Sequence, residues 1–66
     1  MDFQIVFDRE EDGRWIAEIE TLPGVLAYGA TRTEARSKAQ ALALRVIADQ
    51  IEADHSTPDQ VRFAAA

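Results

Sequence analysis

The feature that most constrains the fold of this chain is one long helix signal in its second half. Thr31 is followed three positions later by Glu34. This is the spacing of a capping box, in which the hydroxyl accepts from a first-turn N–H and the carboxylate reaches back. No Pro or Gly then occurs before Pro58. The pattern predicts a helix over residues 31–53, which would be roughly 35 Å long. In a chain of 66 residues, such a helix must dominate the architecture.

Apolar positions in that segment predict which side of the helix faces a core. They form one arc centred on Ala39, whose other members are Ala35, Leu42, Ala43, Val46 and Ile47. Charged residues occupy the opposite side and include two pairs at i,i+4 spacing, Glu34–Lys38 and Arg45–Asp49. Each such pair stabilises a helix by about 0.3 kcal/mol. The pattern therefore predicts an amphipathic helix that packs on another layer.

The first twenty residues predict a β-hairpin that supplies this layer. Two runs of apolar residues recur at a period of two, Phe3, Ile5 and Phe7, then Trp15, Ala17 and Ile19. This period is typical of half-buried strands. Asp12-Gly13 lies between the runs and forms a turn pair, because glycine takes the positive φ that a chain reversal needs.

Two shorter segments complete the predicted elements. Leu22-Pro23-Gly24 is a chain reversal, and the apolar run at 25–28 predicts a third strand. Beyond the helix and a turn-rich loop, residues 60–63 predict a last short strand, and residues 64–66 are expected to fray. The resulting order is β-β-β-α-β, an α+β fold in a single domain over residues 1–66.

Composition limits the functions that such a domain can have. The chain contains no cysteine, which excludes disulfides and cysteine-based zinc sites or nucleophiles. Its net charge of −5 opposes binding to a phosphate backbone, so direct DNA binding is not expected. The longest uncharged stretch, residues 21–31, is too short to span a membrane, and no secretory signal opens the sequence. These features favour a cytoplasmic protein without a membrane partner.

The negative charge is concentrated at one end of the chain. Residues 1–20 carry a net charge of −5, residues 21–47 carry +3 and residues 48–66 carry −3. Glu10, Glu11 and Asp12 fall at the tip of the predicted hairpin, where side chains point to solvent. An acidic loop on a rigid hairpin can occupy the basic face of a partner and steer its association. These three residues are therefore candidates for partner binding.

No catalytic or cofactor-binding constellation emerges from the sequence. His55 is the one histidine; it follows the helix, and no second His or Cys completes a metal site. A capping or solvent-exposed role is favoured for it. The serines and threonines lie in no nucleophile motif, and the glycines form no phosphate-binding loop. The chain is predicted not to be an enzyme and to bind no cofactor or metal.

The motifs occur in a distinctive order. A strand ends at Phe7-Asp8, Asp12-Gly13-Arg14-Trp15 opens the next, and Leu22-Pro23-Gly24-Val25 is followed by Gly29-Ala30-Thr31-Arg32-Thr33-Glu34-Ala35 before a long helix. This order resembles the N-terminal domain of HicB-type antitoxins and their solitary relatives. The resemblance covers residues 3–53, most of the chain. Its most specific part is the Leu-Pro-Gly break followed by Gly-x-Thr-x-x-Glu-Ala.

The resemblance implies both a fold and a partner. The fold is a truncated ribonuclease-H-like one, in which a three-stranded antiparallel meander carries one helix and a short fourth strand returns beside the first. A right-handed crossover would make that fourth strand parallel to the first. The implied partner is a small, basic, RNA-cleaving toxin of the HicA type, which the antitoxin binds and blocks. Many relatives also carry a C-terminal DNA-binding module, which is not expected here because the sequence ends at Ala66.

Self-association is expected from the residues alone, as a homodimer or a higher homo-oligomer. A chain this short, without disulfides or a structural metal, has only a small core to stabilise it. Leu44 and Ile51 lie outside the main helical arc, and Val6 and Ile16 fall on the back face of the predicted sheet. Two alternative functions also stay open. One is a homo-oligomeric module that binds a small molecule, and the other is a minimal metal-dependent nuclease built on Asp8 and its acidic neighbours.

Overall fold

The computed structural model describes residues 1–66 and contains four strands and one helix. In chain order these are β1 (Asp2–Arg9), β2 (Trp15–Glu18), β3 (Leu26–Gly29), α1 (Arg32–Asp54) and β4 (Arg62–Ala65). The predicted β-β-β-α-β order and the α+β class are confirmed.

The four strands form one mixed sheet in the order β3-β2-β1-β4. Strands β1, β2 and β3 are an antiparallel meander, and β4 pairs with β1 in parallel. The expectation of a parallel last strand is confirmed. The helix packs across β3 and β2 on one face of the sheet. Since no other element is present, the opposite face of the sheet is open to solvent.

Two glycine turns shape the meander. Gly13 has a φ of 92° in the β1–β2 turn, where the N–H of Glu10 donates to the carbonyl of Arg14 at 2.8 Å. Gly24 has a φ of 83° in the Leu-Pro-Gly reversal. This reversal is closed by the N–H of Ile19, which donates to the carbonyl of Val25 at 3.0 Å. Both values lie in the left-handed region that glycine enters at little cost. The predicted turns are therefore where the chain reverses.

The capping residues define both ends of α1. The Glu34 N–H donates to the Thr31 hydroxyl at 3.1 Å, as the capping box predicts. The Glu34 carboxylate reaches back to the N–H of Ala30 at 3.3 Å, one residue before the N-cap. At the other end His55 is the C-cap, with a φ of 55° and its N–H donating to the Ile51 carbonyl at 2.8 Å. The helix therefore runs one residue later than predicted at each end.

The core lies between α1 and the sheet and uses small residues on the helix side. Fully or almost fully buried side chains come from both layers: Ile5, Ala17, Ile19 and Val25 from the strands and their connections, and Ala35, Ala39, Ala43 and Ile47 from the helix. Leu42 and Val46 are half-buried at the edges of the predicted arc. The alanines let the helix approach the strands closely. No helix in the structure combines the length and the apolar character that a membrane span requires.

The end of the chain differs from the sequence prediction. The last strand was expected at residues 60–63 with residues 64–66 frayed, but β4 spans Arg62–Ala65. The N–H of Arg62 donates to the carbonyl of Met1 at 2.8 Å, and the N–H of Ala66 donates to the carbonyl of Ile5 at 2.9 Å. The last strand itself is confirmed, but its predicted bounds were wrong because they relied on side chains. Pairing with the free edge of β1 uses backbone groups, which alanine supplies as well as any residue.

One of the two predicted helical ion pairs forms. The Lys38 ammonium lies 3.2 Å from the Glu34 carboxylate. Arg45 and Asp49 do not come within salt-bridge distance, so the prediction of that pair was wrong. Both side chains are exposed, and an exposed pair gains too little energy to hold two long side chains in one geometry.

Candidate protein-interaction surface

Two rows of side chains cross the face of the sheet that lies opposite the helix. The register of β1, β2 and β3 places Val6, Glu18 and Leu26 in the first row and Asp8, Ile16 and Tyr28 in the second. These residues alternate with the core residues along each strand, so they share the open face. We call these six residues the open-face grid.

The open-face grid mixes large apolar side chains with carboxylates. Val6, Leu26 and Tyr28 are 37%, 36% and 39% exposed, and Ile16 is half-buried. Glu18 lies between Val6 and Leu26 in the register of the sheet, and neither Glu18 nor Asp8 forms a salt bridge. Grouped apolar side chains on a solvated face make it a candidate interaction surface. The carboxylates among them favour a partner that carries cations.

One end of the grid is held in place by Arg14. Its guanidinium lies 2.8 Å from the Asp12 carboxylate and 4.7 Å from the centroid of the Tyr28 ring. The Arg14 backbone N–H, at 3.0 Å, and the adjacent guanidinium hold the pKa of Asp12 below its usual value. Asp12 therefore stays ionised to lower pH, and Tyr28 is covered by a cation on one side.

The predicted partner-binding residues at the hairpin tip differ in their surroundings. Glu11 is exposed and Glu10 is half-buried, and neither forms a salt bridge. Asp12 is already paired with Arg14. The tip therefore presents two carboxylates that are free to meet a partner and a third that orders the turn.

The four residues predicted to mediate self-association do not lie together. Val6 and Ile16 belong to the open-face grid, whereas Leu44 and Ile51 lie on the helix in the other layer. Leu44 is 48% exposed and Ile51 is half-buried. A single two-fold interface cannot use both sets at once.

Two basic side chains lie on the helix side of the sheet. The Arg32 guanidinium lies 3.9 Å from the centroid of the Phe7 ring, and Arg36 donates to the carbonyl of Phe63 at 3.4 Å. Two other cations lie on the open side, where Arg14 is paired with Asp12 and Arg62 with Asp2. Because both of these cations are already paired, the carboxylates of Asp8 and Glu18 leave the open face with an excess of acids.

The two alternative functions gain no supporting geometry. No three His, Asp or Glu side chains converge closely enough to hold a metal ion, and the surface contains no pocket. Asp8, the central residue of the nuclease alternative, accepts a hydrogen bond from the N–H of Arg9 at 2.7 Å. His55 ends the helix, as described above.

Sequence reasoning did not single out Glu18, Leu26 and Tyr28 as surface residues of one patch. The apolar run at 25–28 predicts a strand but does not by itself separate the two faces of that strand. The period of two contained the signal, because Leu26 and Tyr28 alternate with the core residue Val25 and half-buried Ala27. What the sequence lacked was the register that aligns them with Glu18 and Ile16.

Comparison of the chain with protein-family models, curated proteins and solved structures finds no significant match.

Proposed function

We propose that this chain is a HicB-like antitoxin, or a solitary relative, that binds and blocks a small, basic, RNA-cleaving protein of the HicA type. The observation that carries the proposal is the open-face grid, in which carboxylates alternate with large apolar residues on an uncovered sheet. The chain acts by occupying its partner and performs no catalysis of its own. Its partner acts on RNA, which assigns the pair to the cytoplasm.

The chemistry of the grid suits a protein that binds RNA. An RNA-cleaving protein must hold phosphates, so its active face carries Lys or Arg side chains. Glu18 lies between two apolar neighbours, and a partner that covers Val6 and Leu26 would also remove water from the carboxylate. A charge pair that forms at Glu18 away from water would fix how the two proteins align. The more exposed carboxylates at the hairpin tip would act on the association rate instead.

Local geometry at the family-like motifs also supports the proposal. The Leu-Pro-Gly segment makes a turn with Gly24 at positive φ, and Thr31 caps the helix with Glu34 at the third position. Gly29 lies against the first turn of the helix, where a larger residue would meet the Ala35 backbone. These four residues therefore have physical roles in the turn, the close approach and the helix start that position α1 on the sheet.

Co-expression with a neighbouring gene product tests the proposal. The candidate partner is a basic protein of under about 100 residues encoded beside this chain, whose positive charge would complement the carboxylates of the grid. We expect the candidate to arrest growth when expressed alone, and co-expression of this chain to restore growth. The purified pair should form a complex, and RNA cleavage by the candidate should fall when this chain is added.

Charge reversal on the grid provides the matched comparison. Glu18→Lys should abolish rescue of growth and weaken the complex, whereas Asp59→Lys makes the same charge change in an exposed loop outside the grid and should do neither. Loss of rescue by both variants would point to total charge rather than to the grid. A candidate partner that neither cleaves RNA nor binds this chain would refute the proposed function.

A further inference from the structure

A second surface, on the outer side of α1, has no partner within the chain. It consists of Ala41, Leu44, Ala48 and Ile51, which we call the outer stripe. At 100° per residue these four positions fall within an arc of about 80° that lies opposite the core residue Ala39. Ala41 and Ala48 are exposed, Leu44 is 48% exposed and Ile51 is half-buried. Their spacing of three, four and three residues is that of a helix-pairing seam.

We propose that a second copy of this chain covers the outer stripe, with the two α1 helices antiparallel about a two-fold axis. The inference does not depend on the proposed function, because it concerns a different face and needs no foreign partner. Isologous pairing requires one patch to be complementary to itself. The outer stripe meets this requirement in both side-chain size and charge.

Side-chain size fits the antiparallel arrangement. The stripe alternates small and large residues, Ala41, Leu44, Ala48 and Ile51. A two-fold axis near residue 46 places Leu44 of one copy opposite Ala48 of the other, and Ile51 opposite Ala41. Each large side chain then meets a small one, which lets facing layers interdigitate without voids. A parallel pair in register would instead oppose Leu44 with Leu44 and leave the alanines facing each other across a gap.

Charge also favours the antiparallel arrangement. Lys38 and Glu52 flank the outer stripe on the same side, one near each end. With the axis near residue 46, Lys38 of one copy faces Glu52 of the other, and the pair occurs twice. Glu52 forms no salt bridge within its own chain, and the Lys38 side chain is 58% exposed despite its pair with Glu34. A parallel pair would place like charges together, which is unfavourable.

The open-face grid is a poorer site for a second copy. Two grids facing each other about a two-fold axis would bring the Glu18 and Asp8 carboxylates of both copies into one interface. The grid itself contains no cation, and the two cations on the same face are already paired, Arg14 with Asp12 and Arg62 with Asp2. Like charges desolvated together oppose association. Of the two pairs predicted to self-associate, Leu44 and Ile51 therefore fit a second copy, and Val6 and Ile16 fit a different partner.

Disulfide cross-linking tests the arrangement directly, because the chain has no cysteine of its own. In the double variant Ala41→Cys/Ile51→Cys the two thiols lie about 15 Å apart along one helix, too far for a bridge within the chain. We expect mild oxidation to convert this variant to a covalent dimer, and each single variant to stay monomeric on denaturing gels. Equal cross-linking of Ala41→Cys alone would show a parallel pair and overturn the proposal.

Sedimentation equilibrium tests the interface without cross-links. Over about 1–300 μM the unmodified chain should show a concentration-dependent dimer. Leu44→Glu should leave a monomer whose circular dichroism spectrum keeps its helical signal. Lys38→Glu and Glu52→Lys should each raise the dimer Kd at least ~10-fold, since each change affects both copies of the pair.

Restoration by the double variant separates pairing from a general loss of stability. Lys38→Glu/Glu52→Lys should return the Kd to within about threefold of the original, because it restores both charge pairs in reverse. Asp59→Lys, with the same charge change as Glu52→Lys outside the helix, should leave the Kd unchanged. A chain that stays monomeric throughout the range, or a double variant no better than the singles, would refute the antiparallel interface.

Discussion

Gly29 lies so close to the first turn of α1 that a Cβ at this position would come within 2.5 Å of the backbone nitrogen of Ala35. The obstacle is backbone, which cannot move aside as the end of a side chain can. Gly29→Ala should therefore destabilise the protein by about 1–3 kcal/mol through overpacking. Urea denaturation gives the free energy of unfolding. Gly13→Asn is the control, since the space around Gly13 is open and Asn tolerates a positive φ. An equal loss in both variants would argue against the close approach.

The hydroxyl of Thr31 satisfies one of the free N–H groups at the start of the helix. Thr31→Ala removes the acceptor for the Glu34 N–H and should cost about 1 kcal/mol of stability. Thr31→Ser keeps an acceptor and should lose less. Thr33→Ala, in the same turn and exposed, should change stability by less than about 0.5 kcal/mol. Thermal unfolding followed by circular dichroism compares the three variants.

Stability should depend on pH through Glu34. The Lys38 ammonium, followed by the Ala30 N–H, lowers the pKa of this carboxyl below its usual value of 4.5. Since the folded pKa is below the unfolded one, the stabilisation is complete above the unfolded value and is lost as the pH falls through the folded value. The stability difference between the original chain and Glu34→Gln should therefore shrink from pH 7 to strongly acidic solution. Glu20→Gln, an exposed carboxylate without an ion pair, is the control.

The core should respond strongly to the loss of a single side chain. Ile19 is completely buried between the sheet and the helix, and Ile19→Ala should cost about 2–5 kcal/mol. A chain this small has little stability to spare, so this variant should be largely unfolded at 37 °C. Leu44→Ala shortens a side chain with the same number of carbons as that of Ile19, but on the exposed outer stripe, and should keep the fold intact. Far-ultraviolet circular dichroism distinguishes the two results.

The hairpin tip should act on the rate at which a basic partner associates. Reversing Glu10 and Glu11 to Lys should slow association, most clearly at low salt, because exposed charges act over distance and are screened by ions. Asp12 is left unchanged because it holds Arg14. Surface plasmon resonance with the candidate toxin at several salt concentrations measures the rate. A rate that the reversal does not alter at any salt concentration would remove the tip from the interface.

The elements that the sequence predicts well are those specified by neighbouring residues. The Asp12-Gly13 turn, the Thr31 cap and the helix stop at His55 each depend on groups within four positions of one another. Local chemistry of this kind is readable from one sequence. The exact hydrogen-bond partner is less predictable than the cap itself. In a capping box the Glu34 carboxylate accepts from the N–H of Thr31, but here it accepts from the N–H of Ala30.

The features that sequence reasoning missed depend on residues far apart in the chain. The strand at Ala64 and Ala65 exists because β1 offers a free edge about sixty positions earlier, and nothing near the alanines signals it. The open-face grid likewise needs the register that aligns three strands. Val6 and Ile16 could be assigned to the back of the sheet, but their neighbours across the strands could not be named before the pairing was known.

The parallel pairing of β1 with β4 has a consequence for how the chain folds. The meander and the helix contain all the strand pairings except this one. Until Arg62–Ala65 dock, strand β1 therefore has one edge without a partner, although it lies inside the finished sheet. An unpaired edge in a partly folded chain is open to pairing with other chains. Docking of the last four-residue strand is therefore the step that protects this protein from misassembly.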